Sequence, residues 1–191
     1  MIVVVLCLCL AQAPEAPSGI LVDRVIAIVD KEVITNSELL REVRVALVLR
    51  EGDRAATGEI AQEVLDSFLG FLVDEVVIAA QARRVGGLDV GREEVDREVE
   101  RFAARFSSVD AYHAFMRRFD VSEAALRDIL RRDMKNERYI AQRMRAWKAT
   151  SDDGERNTEA EYKDALKRWV EELRAGVELR LLSPSGELEL R

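Results

Sequence analysis

The chain changes its hydrophobic period twice, and those changes divide it into elements. Val25, Ala27 and Val29 alternate with Arg24, Ile26 and Ile28, a period of two rich in β-branched residues that predicts a strand. Asp30-Lys31 supplies a turn, and Val33-Ile34 opens a short return strand. From there the period lengthens to three and four. Thr35 stands three residues before Glu38, the capping-box spacing in which the hydroxyl accepts an amide hydrogen bond and the carboxylate reaches back. Leu39, Leu40, Val43 and Leu47 then mark the inner face of a helix over 38–50, which Gly52-Asp53 breaks.

A broader apolar stripe follows. Ile60, Val64, Leu65, Phe68, Leu72, Val76 and Ala79, widened by Phe71 and Ile78, predict a helix over 57–85 that packs on more than one side and stops at Gly86-Gly87. Three further helices are expected. One covers 90–108, with Val95, Val99, Phe102 and Phe106 inward; a short one covers 110–119, with Tyr112, Phe115, Met116 and Phe119. The third is capped by Ser122 and runs to Ala149, with Leu126, Ile129, Leu130, Met134, Ile140, Met144 and Trp147 inward. The segment TSDDGERN, 150–157, has no apolar period and reads as a linker. Thr158 and Glu161 repeat the capping box ahead of a helix over 159–175, which Gly176 ends. Val177–Leu182 alternates as a strand, Ser183–Gly186 turns, and Glu187–Leu190 returns. The expected class is mainly α with a small antiparallel β element. An isolated hairpin is marginal in water, so 177–182 is expected to pair with 21–29, joining the N- and C-terminal strands in one sheet.

The N-terminus changes the picture. Residues 2–10 are all apolar and are followed by Ala11-Gln12-Ala13. That run is too short for a bilayer, which takes about twenty residues. It suits a signal-peptide core with a small-residue cleavage site, although an early Lys or Arg is missing. Segment 1–13 is therefore expected to be a signal peptide and the mature protein to be periplasmic. Both cysteines, Cys7 and Cys9, lie in that segment, so cleavage would remove disulfide, zinc-thiolate and cysteine chemistry together. A formal charge of −7, from 29 Lys and Arg against 36 Asp and Glu, argues against a nucleic-acid partner. No later apolar run is long enough to cross a membrane, and no stable insertion is expected after cleavage.

In order, four segments resemble the SurA and PrsA family of periplasmic chaperones and peptidyl-prolyl isomerases. They are the hairpin with TNSEL, then LDSFLGFLVDEVVIAAQARRVGGLDV, then GREEVDREVERFAARF with AALRDILRRDMKNERYIAQRM, and last WVEELRAGVELRLL. Each is degenerate alone; together they cover nearly all of the chain beyond Ala13. The resemblance implies a SurA N-terminal domain, of the trigger factor/SurA peptide-binding type. It also implies a division into 1–13 signal peptide, 14–149 hairpin and helical domain, 150–158 linker, and 159–191 closing helix and strands. In the family, parvulin isomerase domains usually sit between the long helix and the closing helix; here only the linker occupies that place.

Little else suggests a reaction. His113 is the lone histidine, which leaves no triad, and it reads as a boundary residue. Adjacent acids such as Glu93-Glu94 and Glu171-Glu172 diverge on a helix, and no glycine pattern cradles phosphate. Arg117-Arg118 and Arg131-Arg132 alternate with acids and read as charged helix faces. No enzymatic activity, cofactor or metal is expected. Phe102, Phe106, Tyr112, Phe115, Met116, Phe119 and Met144 are at once candidate core and candidate lining of a peptide-binding groove, because aromatic and Met side chains adapt to varied apolar shapes. The expected partners are unfolded or extended polypeptides, with weak self-association through an open sheet edge. The expected function is an ATP-independent chaperone. The alternatives are a peptidyl-prolyl isomerase by family alone, catalytically inactive here, and a dedicated assembly subunit that holds one partner.

Overall fold

Strand β1 (Val25–Val29) turns through Asp30, whose φ of +53° is a left-handed conformation that Asp tolerates, into β2 (Glu32–Thr35). Ala27 faces Ile34, Ile28 faces Val33 and Val29 faces Glu32 across this antiparallel pair. Thr35 and Glu38 make the predicted reciprocal cap and start α1 (Asn36–Glu51). In this computed structural model the described residues are 23–150, 158–182 and 188–190. The expected signal segment 1–13, linker residues 151–157 and turn 183–186 lie outside them.

The helix expected over 57–85 starts late. Gly52, at φ +88°, ends α1, and a short helix α2 (Asp53–Thr57) follows. Gly58 is then extended, with ψ of 179°, and α3 begins only at Gln62 and runs to Ala82. Arg44 of α1 accounts for the interruption: its Nη1 donates to the carbonyls of Ala56 and Gly58, both at 2.6 Å, which holds them out of a helical ladder. After α3 the chain turns, and Gly87 takes the left-handed φ of +78° expected of it while Gly86 does not.

Helix α4 (Arg92–Ala103) is shorter than the expected 90–108, because tight i→i+3 bonds from Arg105 and Phe106 fold Phe106 back under it. Helices α5 (Val109–Arg118) and α6 (Glu123–Thr150) follow, capped by Ser108 and Ser122 as hydroxyl acceptors. Helix α7 (Glu159–Ala175) carries the second predicted capping box. Strands β3 (Leu179–Leu182) and β4 (Leu188–Leu190) complete a four-stranded antiparallel sheet in the order β2-β1-β3-β4. The terminal strands pair as expected: Ala27 faces Leu181 and Val29 faces Leu179. Asp30 extends that pairing, with its amide donating to the Glu178 carbonyl and its carboxylate accepting the Glu178 amide, each at 2.8 Å.

Three groups of buried side chains hold these elements. One joins β1, β2, α1 and α3 through Ala27, Val29, Ile34, Val43, Leu72 and Val77. A second joins α1, α4, α5 and α6 around Phe102. A third, of Ile78, Met144 and Trp169, ties α7 to α3 and α6. Phe102 is fully buried, with its ring 5.5 Å from Phe106, 6.3 Å from Tyr112 and 6.1 Å from Phe115. Phe102→Ala should therefore cost about 3–5 kcal/mol of unfolding free energy in a denaturant titration. Tyr112→Phe should leave stability unchanged or higher, because the Tyr112 hydroxyl is buried without a hydrogen-bond partner. The reverse order of effects would contradict this packing.

Candidate functional site

Six of the seven aromatic and Met positions pack into the core between α4, α5 and α6; the seventh, Met144, borders a hollow against α7. Phe102, Phe106, Tyr112, Phe115 and Met116 are buried in the second core group, and Phe119 is partly buried against it under the Arg44 guanidinium, 4.4 Å from the ring centre. Their rings interlock at steep angles, which closes the space between α4 and α5. Met144 is buried in the third group, at the floor of a hollow of about 350 Å³ between α6 and α7 that Trp147 and Tyr162 also border. The sequence allows both readings for these residues; the fold uses the six around Phe102 as core, while Met144 is buried and still borders a hollow. His113 is exposed on α5, with its ring against Tyr112.

Apart from the single exposed residues Val33 and Val109, the large apolar side chains left exposed lie along the N-terminal half of α3. Val64 is 44% exposed and Phe71 is 52% exposed. Together with Phe68, Ile60 and, across the gap, Ala46 and Leu47 of α1, they border two adjoining hollows of about 520 and 380 Å³. The walls follow from local structure. Ala46 is small, so α1 leaves room; Arg44 pins the Ala56 and Gly58 carbonyls, which fixes the approach of Glu59 and Ile60. Helix α3 carries apolar residues over too wide an arc for α1 alone to cover. Its C-terminal half is covered instead: α6 and α7 pack on it through Ile78, and Arg174 of α7 bonds Asp74 and the Gly70 carbonyl. Phe71 lies outside the narrow stripe in the sequence itself. That width is the signal for this furrow, although on sequence grounds it predicts packing on a second side.

A fourth hollow, of about 590 Å³, lies at the hairpin turn between Val29, Val76, Val177 and the charged pair Arg83–Glu32. That pair meets at 2.9 Å, so its charges satisfy each other.

Helices α1, α3 and α6 meet at a polar junction. Arg132 of α6 donates to Glu42 of α1 at 2.7 Å and reaches Asp133 at 3.3 Å. Asn136 of α6, 1% exposed, donates to the Glu75 carboxylate of α3 at 2.6 Å and to the Glu75 carbonyl at 3.0 Å. Burial works against the Arg132 charge, but the Glu42 carboxylate outweighs it and holds the guanidinium protonated above its usual range. Burial raises Glu75, against the Asn136 hydrogen bond. Asp133 is pushed up to about 7, by burial first and then by the neighbouring Glu75 and Glu42, with Arg132 opposing. None of these side chains borders the hollows described above. Among the described residues no group of three or more His, Cys, Asp or Glu is placed to hold a metal ion. No described helix is long and apolar enough to cross a membrane.

Comparison with protein-family models gives no match, and no curated protein matches the chain. The site therefore stands on its geometry.

The junction has a pH consequence. A carboxyl raised in the folded state keeps a proton that the unfolded chain has released, so its stabilising contribution is full below about pH 4 and fades as pH rises toward 7. Asp133→Asn should accordingly flatten the dependence of unfolding free energy on pH across that window. Urea titrations at a series of pH values would check it, and an unchanged slope would contradict the assignment.

Proposed function

We propose that the protein is an ATP-independent chaperone of the SurA N-terminal type, acting in the periplasm on non-native polypeptides. The observation that carries the reading is the α1–α3 furrow, where Val64 and Phe71 remain exposed beside Phe68 and Ile60. A contiguous exposed apolar patch on a folded chain marks an interaction site. Two adjoining open hollows along one helix suit an extended segment more than a compact ligand. Client side chains would be held by apolar burial, which needs no fixed hydrogen-bond pattern and so tolerates varied sequence.

Two further features support this reading. The closing helix and strand return to the opening hairpin, as the family resemblance implies, and α6 leads to α7 across the short segment where a parvulin domain would otherwise stand. Periplasmic location rests on the apolar run at 2–10 and Ala11-x-Ala13. The reading assigns no catalytic role to any residue: the protein delays aggregation by occupying apolar surface on the client.

The purified chain in several-fold excess should suppress aggregation of a denatured outer-membrane β-barrel protein on dilution, and it should do so without ATP. Val64→Ser combined with Phe71→Ser should weaken that protection roughly five- to tenfold, the effect of removing two apolar contacts. The two positions are already half exposed, so stability should change by no more than about 1 kcal/mol. Unaltered protection by the double variant would place the client site elsewhere; no protection by the native chain would overturn the function.

A further inference from the structure

We infer that the α1–α3 furrow selects client segments whose apolar residues are flanked by lysine or arginine. The inference rests on the furrow being the client site and specifies what fits it. Three glutamates stand around the apolar floor: Glu51 at the end of α1, Glu59 on the approach to α3, and Glu63 in its first turn. All three are exposed, and none forms an ion pair among the described residues. Among the described residues Arg50 is the one cation on the same walls. Arg44, on the same helix as Arg50, is committed to the Ala56 and Gly58 carbonyls and to the face of Phe119.

This contrasts with the way acids are used at the helix interfaces. Asp96 meets Arg127, Glu94 meets Arg138, Glu42 meets Arg132 and Asp74 meets Arg174. At the furrow the balance is three carboxylates to one guanidinium, on a chain whose net charge is already −7. An incoming segment with basic residues outside its apolar positions would meet greasy floor and acidic rim together. An acidic segment would be repelled by the same rim.

The charge also argues against a second copy as the natural occupant. Two-fold pairing would bring each rim against itself, glutamate facing glutamate. The chain's own first 22 residues contain Glu15 and neither Lys nor Arg, so they do not supply the complementary charge either.

The test uses three fluorescently labelled peptides with the same apolar residues, flanked by Lys, by Gln or by Glu, titrated with the full chain. The Lys-flanked probe should bind roughly three- to tenfold tighter than the Gln-flanked one at low salt, the sum of a few exposed ion pairs. Its advantage should shrink at physiological ionic strength, where the screening length falls to about 8 Å. The triple variant Glu51→Gln, Glu59→Gln, Glu63→Gln should bind all three alike while still losing affinity on Val64→Ser with Phe71→Ser. Equal binding of the three probes by the native chain would overturn charge selection and leave the apolar site standing. A Lys preference that survives the triple variant would overturn it too, by locating the selecting charge elsewhere. Binding that ignores Val64→Ser with Phe71→Ser, or a dimer of the free chain that those changes dissolve, would remove the furrow as a client site and the inference with it.

Discussion

The antiparallel pairing of β3 with β1 sets where the second half of the chain can lie. Ala27 and Val29 face Leu181 and Leu179, and the Asp30 turn is bonded twice to Glu178. A two-stranded hairpin alone would be marginal; with β3 and β4 added it becomes one sheet that lies against α3. The end of α7 is then held close to β1, only the short turn through Gly176 away from β3. From that anchor α7 can reach the C-terminal half of α3 and the end of α6, and it does so through Trp169, Ile78 and Met144. It does not cover the face of α3 that carries Val64 and Phe71, which stay exposed. Closure of the chain ends thus both completes the body and leaves the furrow open.

That division is chemical as well as geometric. The covered half of α3 carries polar groups that require specific partners: Asp74 for Arg174 and Glu75 for Asn136. Such contacts fix the register of helices, because a buried charge left alone costs far more than the pair gains over an apolar contact. The open half carries Val64, Phe68 and Phe71, with no comparable demand for a particular neighbour. Side chains that accept many apolar partners stand where the described chain covers them only in part, and those that accept one stand where the fold supplies it.

Much of this is legible in the sequence. The two capping boxes, the Ser122 cap, the Asp30 turn and the end-to-end strand pairing each rest on a local rule or a short argument about marginal stability, and each is present. Sequence and structure part where a distant side chain decides local conformation. Nothing near Gly58 shows that Arg44 will take its carbonyl, so α3 starts later than its apolar period predicts. Nothing near Phe106 shows that it will fold back onto Tyr112 and Phe115, so α4 ends sooner than its pattern does. The site is the least legible part, for a related reason. Helical spacing says that Phe102 and Phe71 both lie on apolar faces; it does not say which face finds a partner. Phe102 is enclosed by three other rings, whereas Phe71 has Phe68 at 5.3 Å and solvent beyond.

The same distinction explains why an aromatic-rich segment is a poor guide to a binding surface. Interlocked rings gain from one another beyond the area they bury, so a dense cluster such as 102–119 closes on itself and leaves little apolar surface open. A surface that stays open carries its apolar residues along one helix, where they pair with a neighbour but do not enclose it. In α3, Val64, Phe68 and Phe71 lie one behind the next along a single helix face, with Ile60 just ahead of them. They can touch their immediate neighbours but cannot fold over one another, and α1 opposite them presents the short side chain of Ala46. What keeps the furrow accessible is therefore the rigidity of two helices held apart, with Arg44 bracing the loop between α2 and α3 against α1. Arg44 does not border the two hollows itself. It acts as a positioning residue, through the carbonyls it holds.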